Sequence, residues 1–298
     1  MMTNMSRTFS LKTLLTASLA GLFALFMFGC AKKVPDDVVL YVADTFSVKQ
    51  GHAGKWQDFY VLDSGGLRLI SALACHAANK AIAVSTVTRS LLPGSAKIVL
   101  IDPATHKVLK EINTGLDQIR SMSFDRGGKR LALIVKQFKI EPLKLYVLTL
   151  SNESLQFITE GELLDASWGK DDEIFLSYKK GEKKLVGDLR IDEQVVINKI
   201  ADGISISASD IRDAFVYIDT TGKVITNEKG VAKTLSVPLQ FQDIRFTSRV
   251  KFVHGSDSII VAKYAAQWDV LYLLRPPYSH SQVILDRWNF ISFEATTN

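Results

Sequence analysis

Cysteine is almost absent from this chain of 298 residues, which holds only Cys30 and Cys75. Two cysteines make no disulfide framework of the kind that staples small secreted scaffolds, so a folded domain here must be held by apolar burial. A surplus of one charge is also lacking: 36 Lys and Arg against 31 Asp and Glu give a net charge of +5. So mild a balance supplies no general attraction to nucleic acid, and no such partner is expected. Chemistry-bearing motifs are equally scarce. SLLPGSAK (90–97) has a Pro-Gly turn and a lysine but not the spacing of a phosphate loop, and reads as a surface loop. No G-x-S-x-G nucleophile turn and no H-E-x-x-H occurs. His52, His76, His106, His254 and His280 stand far apart, so the local spacing of a metal site is missing and neither metal nor cofactor is expected. Asp125, Asp171, Asp172 and Asp213 fall in predicted turns, where Asp bonds to nearby backbone.

What is present begins at the N-terminus. Arg7 and Lys12 precede an uncharged apolar stretch, residues 13–29, that ends at Cys30. This is the architecture of an export signal. The alternative is an uncleaved membrane anchor, since 17 residues lie at the short edge of what crosses a hydrocarbon core roughly 30 Å thick. Phe28-Gly29-Cys30 resembles a bacterial lipobox, with Met27 and Phe28 in place of the usual Leu and small residue. The resemblance implies cleavage before Cys30 and a lipid anchor on its sulfur. Ala31, rather than Asp, implies an outer-membrane lipoprotein facing the periplasm; an uncleaved helix would instead hold the domain on the outer face of the inner membrane. The chain thus divides into a signal peptide (1–29), a lipidated tether (30–37) and a folded domain (38–298).

Within that domain a repeat is visible. Five segments share an apolar strand, a small polar turn and an alternating apolar strand: LACHAANKAIAVS (73–85), MSFDRGGKRLALI (122–134), ASWGKDDEIFLSY (166–178), ISASDIRDAFVYI (206–218) and VKFVHGSDSIIVA (250–262). The second strands start at Ile82, Leu131, Ile174, Ala214 and Ile259, in steps of 49, 43, 40 and 45 residues. Val39 lies another 43 residues before Ile82, on a strand with no first strand before it, while ISFEATTN at the C-terminus matches a first strand and turn that stop. Further strands fit between the anchors, as in KIVLIDPATHKVLKEI (97–112). Four short strands per 40 to 50 residues is the period of a propeller blade. The expectation is an all-β protein, a β-propeller of six four-stranded blades, closed by pairing of the C-terminal strand with N-terminal strands. Tandem immunoglobulin-like domains would also give many short strands, but not the split repeat.

Phe124–Lys129 and Trp168–Glu173 resemble the TolB-type propeller repeat, which reads roughly W-S-P-D-G-K before an apolar strand; Cys75–Lys80 is a weaker copy. Cys75 occupies the place of Phe124 and Trp168 and reads as a buried, inert thiol. His76 and His254 read as one repeated turn position. The loops joining second and third strands emerge on one face of a propeller. Read in order they carry Lys49, His52, Lys55 and Trp56; Arg89; Lys136, Phe138 and Lys139; Lys179, Lys180, Lys183 and Lys184; and Lys263, Tyr264 and Trp268. Of these, Trp56, Arg89, Lys136, Phe138, Lys139, Lys179, Lys180, Tyr264 and Trp268 are the candidate partner-binding residues, aromatic and Arg side chains as anchors and Lys to steer encounter. The bland alternative is that they are solvated tips, Lys being a common edge guard. The resemblance implies a noncatalytic module holding an envelope protein or peptide, monomeric outside its complex. The competing reading is a hydrolase or lyase working in the central channel. Several His, Asp, Glu or Arg side chains converging there would favour it, and the first strands SALAC, SMSF, DASW and FISF read instead as small, apolar and aromatic.

Overall fold

The computed structural model describes residues 34–62, 65–76, 78, 80–90, 92–137, 140–170, 172–191, 195–235, 249–264, 269–288 and 290–298. Among them every regular element is a strand. The chain runs β1 (Val38–Ala43), β2 (Ser47–His52) and β3 (Lys55–Val61), then β4 (Arg68–Cys75), β5 (Ile82–Thr88), β6 (Lys97–Ile101) and β7 (Val108–Asn113). There follow β8 (Gln118–Phe124), β9 (Arg130–Gln137), β10 (Ile140–Thr149), β11 (Ser154–Trp168), β12 (Glu173–Lys180), β13 (Lys183–Arg190) and β14 (Asn198–Ala208). The remainder is β15 (Ala214–Asp219), β16 (Val224–Glu228), β17 (Val231–Thr234), β18 (Arg249–Phe252), β19 (Ile259–Tyr264), β20 (Asp269–Leu274), β21 (Ser281–Trp288) and β22 (Ser292–Thr297).

Among the described strands every pair is antiparallel, and all join chain neighbours except β22, which pairs with β1 from Val38 opposite Thr297 to Ala43 opposite Ser292. The first sheet is therefore β22-β1-β2-β3, the second β4 to β7 and the last β18 to β21. The ten strands β8 to β17 form one continuous ladder, because β11 and β14 are long enough to serve as outer strand of one unit and inner strand of the next. The described strands thus make six four-stranded units, the blades of a β-propeller, with β22, β4, β8, β11, β14 and β18 innermost.

The alternation of strand side chains explains the ring. In β1, Val39, Tyr41 and Ala43 point toward the second blade and pack with Ile70, Leu73, Ile82 and Val84. Val38, Leu40 and Val42 point the other way, into a core with Ile260, Leu271 and Phe293 of the last and first blades. Four further clusters fill the remaining gaps between neighbouring blades. A strand caught between two such cores is buried on both faces and must be apolar throughout; β1 and most of β5 are buried at every residue. Outer strands lose one neighbour, and β7 and β17 are mostly or wholly exposed.

The innermost strands pose a separate problem, since their axial N–H groups have no ladder partner from the next blade. Serines solve it. Ser123 accepts a hydrogen bond from the Trp168 amide at 2.9 Å, Ser167 from Ala208 at 2.9 Å and Ser207 from Phe252 at 3.2 Å. One turn of the pleat earlier, Ser205 accepts from Val250 at 3.1 Å. Each bond joins adjacent blades at the repeat spacing. Replacing Ser123 with Ala removes the acceptor of the Trp168 N–H at a part-buried site, for which we expect a loss of about 1 kcal/mol in urea unfolding. A loss below about 0.5 kcal/mol, ordinary for a surface change, would overturn this role.

Loops between second and third strands, and those between blades, emerge on what we call the upper face. First-to-second and third-to-fourth loops emerge on the lower face, as does the C-terminus. This geometry corrects one sequence expectation. The chain joins the first blade at its second strand, so its second-to-third loop is Asp44–Phe46, tightened by Asp44 Oδ1 accepting from the Phe46 and Ser47 amides. Lys49, His52, Lys55 and Trp56 belong instead to β2, β3 and the lower-face hairpin between them. Trp56 lies across from Gly51, and a Cβ there would sit 2.8 Å from its ring. Its half-buried ring packs on the core between the last and first blades, so Trp56 is removed from the candidate face.

Candidate functional site

The propeller axis holds two chambers. The lower one is lined by the ends of the innermost strands and the turns that follow them, including Ser123, Arg126, Asp165, Ser207, Asp210, Lys251, His254 and Glu294. It encloses about 30 Å³, room for water-sized occupants only. The upper one, about 440 Å³, is lined where the same strands begin, by residues including Ser71, Arg120, Asp165, Ser205 and Arg249, and by side chains of the surrounding second and third strands.

A charged cluster lines the lower chamber. His254 Nδ1 faces Asp210 at 3.5 Å and Nε2 faces Glu294 at 3.5 Å, while Lys251 also pairs with Glu294. Asp210 follows β14, His254 and Lys251 belong to β18 and its turn, and Glu294 lies on β22, so three successive blades meet here. Burial alone would disfavour the imidazolium, but hydrogen bonds and charges from Asp210 and Glu294 outweigh it and hold the His254 pKa at about 9. Burial likewise opposes ionisation of Asp210, and His254 with the Gly255 amide overcomes it, lowering its pKa. Backbone bonds reinforce the seam: the His254 amide donates to Ala295 and the Thr297 amide to His254, both at 2.9 Å. Arg126 spans from the third-blade turn to the fifth-blade turn, donating to the Ser209 and Arg212 carbonyls at 3.3 and 3.1 Å.

The expectation that the first strands bring only small, apolar and aromatic side chains to the axis is therefore corrected: acids and bases do converge there. Their arrangement is a clasp. A general base needs an unprotonated nitrogen aimed at a substrate, and His254 is an imidazolium at neutral pH with both nitrogens turned to carboxylates, in a chamber without room for a substrate. The shared turn position of the two histidines is corrected as well. The amides closing the five turns are those of His76, Asp125, Gly169, Ser209 and Val253, which places His254 one residue further, level with Asp210 and Arg126. His76 instead packs edge-on against Phe124, with ring centroids 5.7 Å apart. It covers Gly128, whose φ of +65° and 2.1 Å clearance from the His76 ring leave no space for a Cβ. Cys75 is buried, and that burial, with the charges of Glu294 and Asp210, pushes its thiol pKa well up. Asp125 behaves as a turn residue, accepting from the Lys129 and Arg130 amides, and it shares the Arg130 guanidinium, at 3.0 Å, with Asp172, at 2.6 Å.

At the upper chamber the structure gathers some candidate residues and separates others. Lys136 on β9 and Lys179 on β12 line the cavity, together with Lys184 on β13. Lys180, one residue beyond Lys179, is exposed and outside the lining, and Arg89 is an exposed turn residue whose amide donates to Leu67. Cys30, Phe138, Lys139 and Trp268 lie outside the described residues, and Tyr264 is described only as backbone at the end of β19. Sequence reading missed Arg120 and Arg249, which stand at the upper ends of β8 and β18. The available signal was an Arg shortly before the apolar anchors of SMSF and VKFV.

The chain matches no protein-family model and no curated protein sequence. Its fold does have solved counterparts. A TolB structure from Acinetobacter baumannii superposes with a TM-score of 0.64 at 12% identity, covering 88% of this chain and 66% of that one. A TolB-type structure from Agrobacterium tumefaciens gives 0.61 at 11% identity, covering 88% and 98%. A chain of the nidogen/laminin complex gives 0.63 at 10% identity, covering 87% and 98%. At such identities the likeness is one of fold: the described residues form an all-β protein with the β-propeller architecture of these solved structures.

Proposed function

We propose that this protein is a noncatalytic binding module of the bacterial envelope, tethered to the membrane through Cys30 and holding a protein or peptide partner on its upper face. The observation that carries this reading is the asymmetry of the axis. One end is narrowed by the ion-paired clasp to a space of about 30 Å³, while the other widens into a chamber of about 440 Å³ that five Lys and Arg side chains help to line. Such a face suits an acidic partner, with cations raising the encounter rate and fixing orientation. The TolB structures are bacterial, and the third similar chain was solved in a nidogen/laminin complex; both likenesses favour partner binding by analogy of fold. A propeller hydrolase or lyase finds no support in the lower chamber, where the charged groups neutralise one another.

The test is crosslinking in cells followed by recovery of captured proteins. Charge reversal of Lys136, Lys179 and Lys184 to Glu is expected to abolish recovery of the partner while the domain still melts cooperatively at no lower a temperature. Recovery unchanged from the parent chain would sink the binding face. In the same cells, Cys30→Ala is expected to move the protein out of the membrane fraction or leave a longer precursor; an unchanged lipidated species would sink the anchor.

A further inference from the structure

We infer that the upper chamber is a site for a compact anion bearing two or more carboxylate or phosphate groups. The inference rests on the reading of the upper face as a binding surface and assigns the chemistry of what enters it. Five cationic side chains line this one cavity: Arg120, Lys136, Lys179, Lys184 and Arg249. Among the described residues, Arg120, Lys136, Lys179 and Lys184 make no ion pair. The one carboxylate in the wall, Asp165, is already engaged by the Ser121 hydroxyl and the Ala166 amide. A cleft lined by one sign of charge focuses its field on the space inside and favours an occupant of the opposite sign.

The division of labour follows from side-chain shape: Arg120 and Arg249 offer planar forks that match carboxylate or phosphate, and the lysines act as point charges around them. At about 440 Å³ the chamber falls in the range of small-molecule sites. The anion has two possible sources, a free small molecule or an acidic stretch of a bound chain.

The experiment uses the whole folded domain with three probes, citrate, inorganic pyrophosphate and a tri-glutamate peptide, against sodium chloride at matched ionic strength. Binding is read by calorimetry and by the shift in melting temperature. Saturable one-to-one binding of citrate or pyrophosphate, weakened about tenfold by Arg120→Gln or by Lys184→Gln, supports the site with a free anion as occupant. Binding of tri-glutamate alone, with the same response to the variants, supports it with a partner's acidic segment as occupant. Binding no tighter than the chloride control, or binding that both variants leave unchanged, overturns the inference. Each variant's melting curve without probe confirms that it folds. Failure here would leave partner capture by crosslinking unaffected, whereas anion binding without any partner capture would sink the wider reading and leave this site standing.

Discussion

Truncation after Ile291 is expected to abolish cooperative folding, although it removes only the strand β22 and the residue that follows it. The reason is where those residues lie. β22 provides the inner strand of the first blade, and its removal turns the wholly buried β1 into an edge with unpaired backbone facing the axis. Phe293 and Ala295, both nearly inaccessible, leave the core shared by the last and first blades. Glu294 leaves the clasp, and the His254 amide loses its acceptor on Ala295. Phe293→Ala alone should cost about 3 to 5 kcal/mol. With the ladder and the closing seam added, the total approaches the whole stability of an ordinary domain, about 5 to 15 kcal/mol. The measurements are circular dichroism melting and urea unfolding of the truncated and full chains. A truncated protein with a cooperative transition at the parent's midpoint would show that the first blade does not depend on the C-terminus.

The split repeat makes that strand pairing legible in the sequence itself, because ISFEATTN supplies the piece missing before Val39. Strand positions were readable for a simple reason. Blade interiors are buried on both faces, so LALIV and VVLYV are continuous apolar runs bounded by turn residues. The axis was much less legible. Each innermost strand contributes one or two side chains to it, and successive strands are 40 to 50 residues apart, so Asp210, His254 and Glu294 share no local spacing that a motif search would catch. The serines of SMSF, DASW and ISAS read only as small residues, yet Ser123, Ser167 and Ser207 stitch the blades together by bonding backbone that no sheet partner reaches. The lower-face placement of Trp56 was lost for another reason. In a blade begun at its second strand every later hairpin shifts by one place, and apolar patterning does not number the hairpins. Arg120 and Arg249 were overlooked because an Arg at a strand end is ordinary in isolation. Only the ring brings them to one cavity.

The clasp also sets how stability should vary with pH, and the sign follows from which state binds protons more tightly. The ordinary pKa of His254 in an unfolded chain is 6.5 and the folded value is about 9, so the folded state holds this proton more firmly. The stabilisation is therefore complete below about pH 6.5 and is lost as pH rises through about 9, an effect of up to about 3 kcal/mol for a shift of this size. Asp210 works in the opposite direction. Its pKa is lowered on folding, so its contribution is present above the ordinary carboxylate range and disappears as pH falls through its folded value. Urea unfolding between pH 6 and 10 should show the parent protein weakening steadily across the alkaline half. His254→Gln keeps a hydrogen-bonding side chain but no titrating charge. It should begin about 3 kcal/mol less stable at pH 6 and converge on the parent by pH 10. Parallel profiles for the two proteins would mean that His254 carries no linked proton. A variant that falls short of the parent equally at every pH would mean that the residue matters for packing and not for charge. Convergence would establish that the seam between the last blade and the first is fastened by an imidazolium held between two carboxylates.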